Sequence, residues 1–112
     1  MSVADKLRAA RKIDIKVGDI TFHGTRATPE QFSRYATNAS TDAEVCRVHI
    51  DGWSGVKESD LIDGGSDEVI KFSRDDFSEA ISEKPDWYKP IVSKSLEDAQ
   101  ERFMARKENE KK

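Results

Sequence analysis

Residues Ile50-Asp51-Gly52-Trp53-Ser54-Gly55-Val56 set one of the chain's two tryptophans between two glycines. Glycine lets the backbone turn where other residues meet steric cost, and an indole ring is too large and apolar to leave in water. The stretch is therefore expected as a corner, with Trp53 driven inward and the flanking elements folding around it. A chain of 112 residues has room for one core, burying roughly two-thirds of the surface that its unfolded form exposes. Hydrophobic residues make 36% of it and charged residues 37%. That apolar share is low for a soluble domain, so the ends are expected to be solvated or held by a partner.

Ile13-Asp14-Ile15-Lys16-Val17 and Ile20-Thr21-Phe22-His23 alternate apolar and polar residues on either side of Gly18-Asp19. The pattern predicts a β-hairpin with Ile13, Ile15, Val17, Ile20 and Phe22 on one face. Two strands are marginal alone in water, so the hairpin must lie on helices or join a further strand. Its free edges also offer a route to self-assembly into a homo-oligomer. Ahead of it, Val3, Leu7 and Ala10 line one side of a short helix capped by Ser2, with basic residues in its last turn. Residues 1–12 are thus an amphipathic arm, residues 13–106 a single globular domain, and residues 107–112 a charged tail expected to fray.

Thr28-Pro29-Glu30-Gln31 is a compact helix start, and Phe32 and Tyr35 fall on one side of the helix it opens. Thr41-Asp42-Ala43-Glu44 opens a second run to Ile50; the cap favours a helix ended by Gly52, although Cys46, Val48 and Ile50 also suit a strand. Ser73 caps another helix, Phe72 and Phe77 stand at the two positions of a hydrophobic staple, and Pro85 is expected to end it. Asp86 or Lys89 then opens a last helix whose apolar face runs through Trp87, Ile91, Val92, Leu96, Ala99, Phe103 and Met104. Together these elements predict an α+β, mostly helical small domain with an N-terminal antiparallel β-hairpin. Its expected core is Phe32, Tyr35, Trp53, Phe72, Phe77 and Ile81, with Ile91 and Leu96 beside them.

No residue set carries recognisable chemistry. Cys46 and His49, three apart, share a helix face, but no third residue presents itself to orient them, and a buried cysteine beside a surface histidine is the expectation. Gly52-Trp53-Ser54-Gly55-Val56 lacks the glycine that a nucleophile elbow needs two residues after its serine. His23 reads as an outward hairpin residue. Asp60, Asp63, Asp67 and Glu68 do not follow the spacing of a calcium loop, and no phosphate-binding glycine pattern occurs. No enzyme activity, cofactor or metal is expected. The single cysteine excludes an intrachain disulfide and suggests a reducing compartment; with no signal-like or membrane-length apolar run, a cytoplasmic protein is expected. The net charge of −3 is unevenly spread: residues 1–27 carry +3, residues 28–52 −2, residues 53–86 −6 and residues 87–112 +2. The basic ends are interrupted by acids, which disfavours nucleic acid as a partner.

Gly52-Trp53-Ser54-Gly55-Val56, then Glu58-Ser59-Asp60-Leu61, a glycine-containing turn, Val69-Ile70-Lys71-Phe72-Ser73 and a helix with Phe77 together resemble small tail assembly chaperones of tailed bacteriophages. About a quarter of the chain carries this likeness; Lys71 stands where proline is usual in that family, and residues 1–27 have no place in the pattern. The resemblance implies a non-enzymatic protein that coats the tape measure protein and helps recruit tail tube subunits in the host cytoplasm. The expected contact surfaces are the last helix (Trp87, Ile91, Leu96, Phe103) and residues 3–17, including Val3 and Leu7. A minor tail or head–tail joining protein, oligomerising through the hairpin and retained in the virion, is the alternative.

Overall fold

The computed structural model describes the backbone of residues 2–110 and the side chains of residues 2–105. Its elements are α1 (Val3–Ala10), β1 (Lys12–Val17), β2 (Ile20–Thr25), α2 (Pro29–Asn38), α3 (Asp42–His49), β3 (Ile50–Ser54), α4 (Glu58–Leu61), α5 (Arg74–Ile81) and α6 (Pro85–Glu110). The protein is α+β and mostly helical, with β1 and β2 forming the N-terminal antiparallel hairpin. Of the expected tail, residues 107–110 continue the α6 backbone and residues 111–112 lie outside those described.

Alternation sets the hairpin register. Ile15 opposes Phe22 and Val17 opposes Ile20, so the apolar side chains share the face toward the helices, while Asp14, Lys16, Thr21 and His23 take the other. A third strand joins them: β3 pairs antiparallel with β2, Phe22 opposite Trp53, which makes β2 the central strand. This corrects the expectation for residues 42–56. Thr41 caps α3 by accepting from the Glu44 N–H, but the helix stops at His49, and Ile50 and Asp51 belong to the strand. Trp53 therefore sits on a strand rather than at a corner, because pairing with β2 satisfies the backbone there; the turn comes at Gly55, with φ of 80°. Gly24 makes the α3–β3 junction possible, since a Cβ there would run into the His49 carbonyl, and only glycine lets two backbones approach so closely.

One apolar cluster fills the space between sheet and helices. Phe22 is fully buried at its centre, its ring edge-on to Phe77 at 6.2 Å and to Trp87 at 5.1 Å. Trp53 meets Phe72, Phe77 and Trp87 at 5.1, 6.3 and 6.4 Å, and its Nε1 donates to the Ile70 carbonyl at 2.8 Å. Trp53, Phe77 and Ile81 are buried, and half-buried Phe72 packs against them. Phe32 and Tyr35, expected in the core, are half-buried and lie outside this cluster; Phe32 instead rests on Phe103, with ring centres 5.6 Å apart.

The Ser73 hydroxyl accepts from the Asp76 N–H, and the Phe72 and Phe77 rings stand 5.8 Å apart, closing the staple that starts α5. Arg47 ties α3 to α5 by donating to the Ser78 carbonyl at 3.1 Å. Pro85 begins α6 rather than ending α5, consistent with a residue that has no N–H to offer and suits a first helical turn. Trp87, Ile91, Ser95 and Ala99 form its buried stripe at four-residue intervals. Small Ser95 lets the end of β2 come close: the Ala27 N–H donates to its carbonyl at 2.8 Å, and Arg26 pairs with Asp98 at 3.1 Å.

The molecule measures 57 × 35 × 22 Å, with a radius of gyration of 15.9 Å, against about 13 Å for a compact chain of this length. Two elements cause the excess. No residue of α1 is buried, and α6, 26 residues long, runs roughly 39 Å at 1.5 Å per residue, farther than the core beneath it.

Candidate functional site

The Cys46–His49 pair does not form a nucleophilic centre. The Cys46 thiol is fully buried and directed at the Tyr88 carbonyl, 3.7 Å away. Burial, reinforced by nearby Asp42 and offset in part by Arg47, pushes its pKa up to about 12, so it stays protonated and unreactive at neutral pH. His49, expected at the surface, is 2% exposed, because the α3–β3 junction folds over it. Its Nε2 meets the Tyr35 hydroxyl at 2.7 Å, while Nδ1 has no hydrogen bond of acceptable geometry. Desolvation holds its pKa below the ordinary histidine value, and the Thr25 backbone offsets this only in part. Tyr35 is pushed up by burial, against the opposing effect of Arg34.

A second trio comes together that spacing alone does not reveal. On the outer face of the sheet, Asp14 of β1, His23 of β2 and Ser54 of β3 form a line, with Asp14 Oδ1 to His23 Nδ1 and His23 Nε2 to Ser54 Oγ both 2.8 Å. Cross-strand register makes the line, since His23 stands opposite both Asp14 and Gly52, and Gly52 leaves open the space beside its ring. The connectivity is that of a nucleophilic triad, but the surroundings differ. The His23 and Asp14 side chains are 40% and 71% exposed, so water screens the pair, whereas acyl transfer depends on preorganised donors in a dry site. What the trio does physically is fasten three strands across their polar face.

The expected contact residues fall into three groups. Trp87 and Ile91 are corrected: they are 4% and 0% exposed and belong to the core, because the first half of α6 closes the sheet. Leu96 and Phe103 are half-buried, Phe103 against Phe32. Val3 and Leu7 are open, at 72% and 57%, as is Met104 at 53%.

A groove of about 350 Å³ to which no sequence pattern points runs between α4, the loop after it and α5. Its floor is Leu61, Ile62, Ile70 and Ala80, and its walls carry Glu58, Asp76, Glu79 and Glu83. Asp76 and Glu79 stand one turn apart along α5, and Glu83 follows in the turn just past its end, so this side of the groove is acidic beside an apolar bed. Among the described residues no cluster of three or more metal-ligating side chains occurs, and no helix is long and apolar enough to cross a membrane. Compared with protein-family models, curated proteins and solved structures, the chain matches none.

Proposed function

We propose that the protein is a non-enzymatic assembly factor of a bacteriophage tail, a tail assembly chaperone that holds segments of the tape measure protein and helps bring tail tube subunits to it in the host cytoplasm. The observation that carries this reading is the pair of helical faces that the domain leaves uncovered: α1, with Val3 and Leu7, and distal α6, with Met104. Exposed apolar side chains one turn apart on a helix, as Val3 and Leu7 are, suit a long helical partner, which covers them by laying its own apolar stripe alongside. The likeness of residues 50–77 to tail assembly chaperones supplies the phage context. A screened Asp14–His23–Ser54 line and a protonated, buried Cys46 favour binding over bond-making.

Co-expression of the tagged chain with the tape measure protein of the same genome tests the reading. The two should co-purify, and Val3→Asp combined with Met104→Asp should reduce the yield of tape measure protein on the order of tenfold. Mass spectrometry of finished particles should find the chain absent. A chain that purifies without tape measure protein, or that remains in particles at fixed copy number as a structural component does, refutes it.

A further inference from the structure

We propose that the groove between α4 and α5 receives α1 of a second copy of this chain, so that molecules associate head to tail. This inference does not rest on the assembly-factor reading; the two partners share the α1 face, so a tape measure segment that binds α1 displaces the second copy from it. Three observations carry it.

The first is chemical fit. The groove has an apolar floor, Leu61, Ile62, Ile70 and Ala80, flanked by Glu58 on one side and by Asp76, Glu79 and Glu83 on the other. Ile62 is 62% exposed, so much of that floor is wet. In α1 the apolar stripe is Val3, Leu7 and Ala10; at 100° per residue Lys6 and Arg11 fall on its two flanks, and Asp5 lies on the far side, where it pairs with Arg8 at 3.2 Å. An apolar ridge between two cations thus meets an apolar trough between acidic walls. One Glu58 oxygen already accepts from the Ser66 N–H, which leaves Asp76 and Glu79 of α5 and Glu83 just beyond it as the main partners.

The second is that α1 is built before it binds. Ser2 and Asp5 form a capping box at its start, yet no residue of α1 is buried. Isolated helices of this length are marginal in water, so a covering partner stabilises what the cap begins.

The third is geometry, which selects a second copy over the molecule's own groove. α1 leads through the single residue Arg11 into Lys12, at the end of β1 paired with Thr25. The groove lies at the opposite end of the sheet: Gly55 packs against the Asp19 carbonyl in the hairpin turn, and the Ile70 N–H donates to the Val56 carbonyl at 2.8 Å. Lys12 and Val17 are roughly 17 Å apart along an extended strand, and no linker lets α1 double back. An arm at one end and a socket at the other make a heterologous contact, which propagates into rings or filaments rather than stopping at a two-fold dimer.

Sedimentation velocity of the full chain over a concentration series at low and high salt tests the proposal. Association that rises with concentration and weakens with salt is expected. Leu7→Asp removes the arm and Glu79→Lys with Glu83→Lys reverses the socket; both lie on the surface, and unchanged far-UV circular dichroism confirms their folds. Each variant alone should be monomeric, with association weakened on the order of tenfold or more. Mixed, they should form a one-to-one heterodimer and nothing larger, because one brings only a working socket and the other only a working arm. Oligomers that survive both changes, or variants that do not complement, overturn the proposal. So does a wild-type chain that stays monomeric while an unrelated basic amphipathic peptide fills the groove, which would assign the socket to another protein's helix.

Discussion

Replacing Trp53 by phenylalanine isolates what the indole contributes beyond being aromatic. The substitution keeps a ring facing Phe72, Phe77 and Trp87 but removes the N–H that donates to the Ile70 carbonyl at 2.8 Å. That hydrogen bond is worth about 1 kcal/mol, and the carbonyl left behind has to find water or stay unpaired. The smaller ring also vacates roughly 40 Å³, which at ~24 cal/mol per Å³ of unrelaxed cavity costs about 1 kcal/mol more. The sum, about 2 kcal/mol, corresponds to a Tm lower by roughly 8 °C for a domain of this size. Urea unfolding followed by far-UV circular dichroism measures it, with Val48→Ala, at a site 57% exposed, as the control expected within about 0.5 kcal/mol of wild type. A Trp53→Phe loss under about 0.5 kcal/mol would show that the Ile70 bond and the tight aromatic packing are not what holds the 69–72 segment to the sheet.

Gly24→Ala should destabilise by more than about 3 kcal/mol, because its Cβ meets the His49 backbone, while Gly18→Ala, with open space around it but φ of 62°, should cost only about 1 kcal/mol; equal Tm values refute the close approach. Because burial depresses the His49 pKa, the folded state binds fewer protons there than the unfolded chain. Stability should therefore fall as pH drops below about 6.5 toward the depressed folded value, by at most about 1.4 kcal/mol per pH unit. A His49→Gln variant should lose this acid sensitivity, and one with the same pH slope as wild type sinks the argument. Ser54→Ala should leave ester hydrolysis at the background of wild-type protein and change stability by less than about 1 kcal/mol; hydrolysis that depends on Ser54 would make the strand-fastening trio a catalytic one.

The hairpin is legible in the sequence because strict alternation about Gly18-Asp19 allows one register, and the helix starts are legible because Thr28, Thr41 and Ser73 make the caps their residue types suggest. Competition between equal local signals hides the rest. Residues 42–51 carry a helix cap at one end and β-branched residues toward the other, and the structure honours both, switching at His49. Nothing near Ile50 announces that β2 lies waiting to pair with it, since that partner is distant in sequence. The same limit conceals Asp14, His23 and Ser54, which only the three-strand register brings into line. On α6 the periodicity of the apolar face is plain, but periodicity does not say which part of a stripe meets the domain's own core. Trp87 and Ile91 do, while Met104 does not. Ser95 escapes notice because a buried serine carries no apolar signal, and its small size is what the end of β2 requires.

Closing the core with α6 has a consequence for how the chain is made. Phe22 lies against Trp87, so the first hairpin leaves the ribosome long before the residue that shields its central ring. At roughly 5–20 residues per second, that interval is several seconds. Through it the nascent sheet carries an open apolar face and an unclaimed strand edge, the condition in which neighbouring nascent chains stick to one another. Slowed translation between Ser54 and Pro85 should then lower the yield of native protein more than the same pause placed after Ala99, although the finished molecules would be identical.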